Sequence, residues 1–103
     1  MDPLGLFQEE YQDIIVEVEY DKPWIGTITN QGVMESWNGQ TSMTKVIHKP
    51  SNANRWSISA SAQKLDSSLD LITLRLKTST GEILCEASSF KPNDLIALST
   101  NFG

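Results

Sequence analysis

Asp66 and Asp70 stand in RWSISASAQKLDSSLDLITLRL (residues 55–76), inside a serine-rich break between two alternating runs. Asp66, Ser68 and Asp70 put oxygen-bearing side chains at positions 1, 3 and 5 of a prospective calcium loop. Such a loop next needs glycine at position 6 and a bidentate glutamate at position 12. Leu71 and Lys77 occupy those two places. Aspartate and serine in a short connection are explained by side chains bonding nearby backbone amides. The break therefore reads as a hairpin turn, with weak calcium binding at Asp66 and Asp70 as the alternative.

The remaining reactive side chains are few. His48 is the only histidine, and a triad base needs both a nucleophile and an orienting acid. No GxSxG elbow accompanies it, so His48 reads as a surface residue. Zinc requires three or four nitrogen or sulfur ligands, more than one histidine and one cysteine supply. Cys85 alternates with Ile83 and Ala87, the pattern of a buried, inert thiol. No glycine-rich phosphate loop is present. No catalytic, cofactor-binding or metal-ligating residue is assigned, and the chain reads as a non-enzyme.

Binding residues are easier to nominate. Trp24 and Trp37 border turns beside Pro23 and Asn38, where exposed indoles stack on sugar rings or anchor a protein partner. Trp56 lies on the apolar face of its run and reads as core. Glu17, Glu19 and Asp21 form a like-charged row on an outward face. Glycoside hydrolysis would need a cleft and one raised carboxyl pKa, and the row announces neither. It suits a solvated surface that a basic partner meets, and it discourages edge-to-edge pairing if its strand is an edge.

The elements that position these residues follow a period of two. In DIIVEVEY, Ile14, Val16, Val18 and Tyr20 share one face and the glutamates the other, as in a half-buried antiparallel strand. Pro23 ends that run, lacking the donor that a continuing strand requires. WIGTIT, VMESW and TSMTKVIH follow, separated by Asn30-Gln31-Gly32 and by Asn38-Gly39, the strongest short hairpin signal in the chain. After the loop KPSNAN, Trp56, Ile58, Ala60 and Ala62 alternate with Ser57, Ser59, Ser61 and Gln63. Ile72, Leu74 and Leu76 define the next strand, Thr80-Gly81 turns it into EILCEAS, and LIALST closes the chain. A helical period is suggested only near LFQEEY. Seven or eight short antiparallel strands predict an all-β, Ig-like β-sandwich, with a small β-barrel as the alternative.

The chain has 103 residues, 39% of them hydrophobic, so it forms one domain with a sizeable core. Residues 1–12 are expected to be an N-terminal extension, or the remainder of a removed upstream segment, and residues 13–103 the β-sandwich domain. One cysteine makes no internal disulfide and leaves the compartment undetermined. Thirteen acids against eight scattered bases give a net charge of -5, which excludes a basic stripe for nucleic acid and disfavours an anionic membrane. No apolar run spans a bilayer and the N-terminus lacks the pattern of a signal peptide. Membrane association would therefore come only through an upstream helix.

Strand order and turn residues carry a resemblance over about residues 14–102. Its features are Tyr20 followed by Pro23-Trp24-x-Gly26, the serine- and alanine-rich strand running into Ala62-Gln63-Lys64, Leu71-Ile72-Thr73-Leu74, and the Thr80-Gly81-Glu82 turn. In these the chain resembles uncharacterised β-sandwich domains of archaeal cell-envelope and membrane-anchored proteins. It is distantly similar to the extracytoplasmic domain of the small mycobacterial membrane proteins. The resemblance implies a sandwich fold and an extracytoplasmic location, and no activity. The expected function is a non-catalytic binding or spacer module at the cell envelope, with a protein or glycan partner on Trp24 and Trp37. The alternative is a cytosolic acidic regulator or inhibitor that meets a basic protein partner through Glu17 and Glu19.

Overall fold

A computed structural model describes residues 13–49 and 56–102, and these form eight strands and no helix. The helical turn suggested near LFQEEY and most of the loop KPSNAN lie outside the described residues. The strands are β1 (Asp13–Glu19), β2 (Trp24–Asn30), β3 (Val33–Gly39), β4 (Met43–His48), β5 (Trp56–Lys64), β6 (Ile72–Thr78), β7 (Ile83–Ser89) and β8 (Leu95–Phe102). They make two antiparallel sheets of four, ordered β4-β1-β6-β7 and β3-β2-β5-β8. Their inner faces bury Ile14, Val16 and Val18 against Trp56, Ile58, Ala60 and Ala62, together with Ile72, Leu74 and Leu76. The expected sandwich is the fold, and two separate sheets replace the barrel alternative.

Only β2–β3 and β6–β7 are hairpins within one sheet; every other connection crosses between sheets. Gln31 and Gly32, at φ 53° and 83°, form the first hairpin turn, and Gly81 at φ 98° serves the second. Asn38-Gly39 is not a hairpin. Gly39 ends β3, and the chain leaves for the other sheet. The glycine is required for space rather than for a left-handed backbone, because a Cβ there would stand 2.9 Å from the Trp24 indole. The Asp66–Asp70 break is corrected in the same way: β5 and β6 belong to different sheets, so it is a crossover.

The edges are managed by inward-pointing charge. β3 and β4 border the two sheets, and their register places Glu35 beside Ile28 and Lys45 beside Val16, on the core side. Lys45 Nζ meets Glu35 Oε2 at 2.5 Å, joining the sheets at the rim. Charges aimed inward from edge strands oppose pairing with another chain. β1 lies between β4 and β6, so its glutamates guard no edge.

The outer faces differ. On the first sheet Glu17, Glu19, Arg75, Lys77 and Glu86 share one surface. On the second, the outward positions are Met34, Ser36 and Asn38 of β3, Ile25, Thr27 and Thr29 of β2, Ser57, Ser59, Ser61 and Gln63 of β5, and Leu95, Ala97, Ser99 and Asn101 of β8. None of these is ionisable.

The β2–β5 contact sets a size limit at Gly26. A Cβ added there would stand 2.2 Å from the Ser61 carbonyl oxygen, a backbone atom with no rotamer to escape into. Gly26→Ala is expected to lower stability by about 2 kcal/mol or more through overpacking, read as a shift of the urea midpoint. An unchanged midpoint would show that the two strands separate freely.

Candidate functional site

Residue period alone puts Lys64 inside. Trp56, Ile58, Ala60 and Ala62 alternate inward along β5, and Lys64 is the next position on that face. Its side chain is 0% exposed. A buried ammonium must satisfy three donors, and the crossovers supply three backbone carbonyls. Lys64 Nζ donates to the oxygens of Ser68 and Asp70, both at 2.7 Å, and to that of Phe90 at 3.1 Å. The Tyr20 ring lies alongside, its centroid 5.6 Å from Nζ, within reach of a cation–π attraction. Among the described residues no carboxylate pairs directly with this ammonium.

The crossover is fixed around the cation. Tyr20 Oη donates to Asp66 Oδ1 at 2.5 Å and lies 3.1 Å from Ser68 Oγ, which accepts from the Asp70 amide at 3.3 Å. Asp70 pairs with Lys22. Backbone bonds add the neighbouring segments: Leu65 N to Pro23 O at 3.1 Å, Lys64 N to Asp94 O at 3.0 Å, and Asn93 N to Asp66 O at 2.9 Å. The loops after β1, β5 and β7 thus converge on one end of the sandwich. Both aspartates are engaged by the protein's own donors, and the loop's carbonyls surround an internal cation. Among the described residues no group of three His, Cys, Asp or Glu is placed to hold a metal.

Hydrogen bonding from Tyr20 holds the Asp66 carboxyl below its ordinary 3.8. Burial, and then the same bond, raise the Tyr20 hydroxyl above its ordinary 10.0. Asp94 is also lowered, first by the Ser89 hydroxyl at 2.5 Å.

The nominated binding residues are placed otherwise. Trp24 is 0% and Trp37 8% exposed. Their rings meet edge to face, centroids 4.8 Å apart at 81°, and Trp24 Nε1 donates to Thr41 O at 2.9 Å. The indoles seal the core and offer no stacking platform; a tryptophan beside a turn looks the same in sequence whichever way it points. Glu17 and Glu19 are neutralised in place. Arg75 Nη1 reaches Glu19 at 2.8 Å and Glu17 at 3.4 Å, Arg75 Nε reaches Glu86 at 2.5 Å, and Lys77 Nζ lies 3.3 Å from Glu17. His48 is exposed, with Nδ1 2.7 Å from Asp13 Oδ1. Cys85 is half-buried rather than fully buried, and burial raises its thiol pKa, which favours the less reactive protonated form.

The loop end presents large apolar side chains to solvent beside the charged Asp21 and Asp70. Leu65, Leu69, Leu71 and Phe90 are 53%, 71%, 46% and 63% exposed, with Leu95 beside them at the start of β8. An open depression beside them is bounded by Tyr20, Asp21, Ser42, Asp70 and Arg75. Large exposed apolar side chains on a fixed backbone are characteristic of interaction surfaces. Leu65 and Leu69 stand singly among polar loop residues, and Leu71 and Leu95 merge with the apolar runs of β6 and β8, so none of these leucines marks a surface in the sequence. No protein-family model, curated protein or solved structure matches the chain.

Two outcomes follow from the cation's surroundings. Lys64→Met keeps the side-chain length and strands three buried carbonyls, so it is expected to cost about 3 kcal/mol or more in urea unfolding; a loss within about 0.5 kcal/mol, as for an ordinary surface change, would show that the bonds contribute nothing. For pH, a carboxyl lowered in the folded state stabilises above its ordinary value and loses that contribution as pH falls through the lowered one. A phenol raised in the folded state stabilises below its ordinary value and loses that contribution as pH rises through the raised one. Melting temperature should therefore fall below pH 3.8 and above pH 10.0, and Tyr20→Phe should flatten both limbs. A Tyr20→Phe profile parallel to that of the parent protein would contradict the Tyr20–Asp66 coupling.

Proposed function

We propose that this chain is a non-catalytic β-sandwich binding module that holds an apolar segment of a protein partner at its loop end. The carrying observation is that Leu65, Leu69, Leu71 and Phe90 stand exposed on crossovers whose backbone is tied to Lys64 and Tyr20, with Leu95 exposed at the start of β8. A surface already fixed before binding loses little conformational entropy when a partner docks. Exposed leucine and phenylalanine gain from desolvation without leaving polar groups unpaired. A setting at the cell envelope is supported by the resemblance in strand order and turn residues.

The alternative, an acidic regulator of a basic protein, draws less support. Its two residues, Glu17 and Glu19, already face Arg75 and Lys77, so the surface they share is of mixed sign.

Cross-linking capture from the native lysate, repeated with two variants, separates these readings. Leu65→Ser/Leu69→Ser/Phe90→Ser is expected to lose the captured protein, while Glu17→Gln/Glu19→Gln retains it. Loss with the glutamine pair and retention with the serine triple would transfer binding to the charged face and overturn the proposal.

A further inference from the structure

We infer that the free edge of β8 is the interface of a two-fold dimer, in which β8 pairs antiparallel with β8 of a second copy of this chain. The surface runs along a strand edge, apart from the loop end, and does not depend on how that end is used. Two antiparallel sheets of four leave four edge strands, and three of them carry devices that oppose pairing. β3 and β4 aim Glu35 and Lys45 inward. β7 carries Glu86 and an irregular register with β6 at Leu76/Lys77. β8, LIALSTNF, has no charge, no proline and no glycine, and it pairs with β5 without a break. β7 packs near β8 and is not hydrogen-bonded to it, so among the described residues no strand closes this edge.

One bond shows which backbone groups are free. Lys64 N donates to Asp94 O at 3.0 Å, and these two residues continue the register one step beyond Gln63 and Leu95. Bonded and non-bonded pairs alternate along an antiparallel ladder. Ile96, Leu98 and Thr100 therefore bond to β5, while the N–H and C=O groups of Ala97, Ser99 and Asn101 point away from the sheet. All three residues are exposed. Leu95 N, on the same side, is already taken by Asp94 Oδ1 at 3.0 Å. A two-fold axis at Ser99 uses the free groups and leaves Leu95 N alone. Ser99 then faces Ser99 of the second copy, and Ala97 faces Asn101 of the second copy.

The fold favours a second copy over a foreign strand. A foreign strand added to β8 would present a new edge of its own. The two-fold pairing instead gives one sheet of eight strands that ends in β3 on both sides, where Glu35 points inward. Such an isologous contact closes at two copies. On the inner face it sets Leu98, half-buried against the core, beside Thr100 of the second copy. Two chains of net charge -5 repel each other, and β8 is the edge strand that brings no ionisable side chain to the contact.

Sedimentation equilibrium of the whole chain, over dilutions from millimolar to micromolar, tests the inference together with residue-resolved amide hydrogen exchange. A reversible monomer–dimer equilibrium with no larger species is expected. Exchange at Ala97, Ser99 and Asn101 should slow as the dimer fills, while Ile96 and Leu98 stay protected at every concentration. Ser99→Lys sets two ammonium groups opposite each other and should raise the dissociation constant about tenfold or more. Thr29→Lys, on the same face in the central strand β2, should leave it unchanged, as should the serine triple at Leu65, Leu69 and Phe90. The exchange measurement uses the unaltered chain, so it decides the matter even where Ser99→Lys fails to fold. A monomer at all concentrations, assembly beyond the dimer, or exchange at Ala97, Ser99 and Asn101 that ignores concentration would overturn the inference. So would a dimer that Thr29→Lys or the serine triple weakens as much as Ser99→Lys, since the sheet face or the loop end would then form the contact.

Discussion

One ammonium group, shut away from water, settles the architecture of the loop end. Lys64 cannot be buried without three acceptors, and no single loop offers them. Its bonds to Ser68, Asp70 and Phe90 draw the β5–β6 and β7–β8 crossovers onto the same point. The remaining contacts build outward from there. Tyr20 lies beside the cation, and its hydroxyl fixes Asp66 and Ser68. The Asn93 amide then joins the second crossover to the first through the Asp66 carbonyl. Carbonyl dipoles rather than a carboxylate neutralise the charge locally, so both nearby aspartates are released to hold the loop's outer parts.

This interior arrangement allows the surface to specialise. The loop end needs no apolar core of its own, which leaves Leu65, Leu69 and Phe90 pointing to solvent on an ordered backbone. The two sheet faces divide the remaining chemistry. One gathers Glu17, Glu19, Arg75, Lys77 and Glu86 into a mutually compensated network, and such exposed pairs add little stability. The other is an uncharged ladder of hydroxyls. Inward charges at Glu35 and Lys45 protect the rim on the β3–β4 side, so sheet extension is not the natural mode of association for these edges.

Strand positions were legible because burial on one face imposes a period of two, which β1, β2 and β5 follow. β3 buries only Trp37, and the register shift between β6 and β7 leaves Ile83 exposed although it alternates with Cys85 and Ala87. Which strands pair was not legible, because a turn motif reports only local φ preference. Asn38-Gly39 looked like a hairpin, yet Gly39 serves to admit the Trp24 ring. Asp66–Asp70 looked like a turn or a metal loop, yet it wraps a lysine that lies two to six residues before it in sequence. The signal for Lys64 was present in the continued alternation after Ala62, and its charge concealed it. The orientation of Trp24 and Trp37 depended on the opposing sheet, which no local pattern encodes.

The central claim is that the Lys64 ammonium is sequestered by the three carbonyls, and nitrogen-15 NMR of the lysine side chains tests it most directly. At neutral pH and room temperature, surface ammonium groups exchange protons with water too quickly to give a cross-peak. The account predicts one persistent lysine Nζ cross-peak, lost in Lys64→Met, with through-hydrogen-bond couplings to the carbonyl carbons of Ser68, Asp70 and Phe90. A Lys64 ammonium that exchanges as fast as Lys91, with no such couplings, would contradict it.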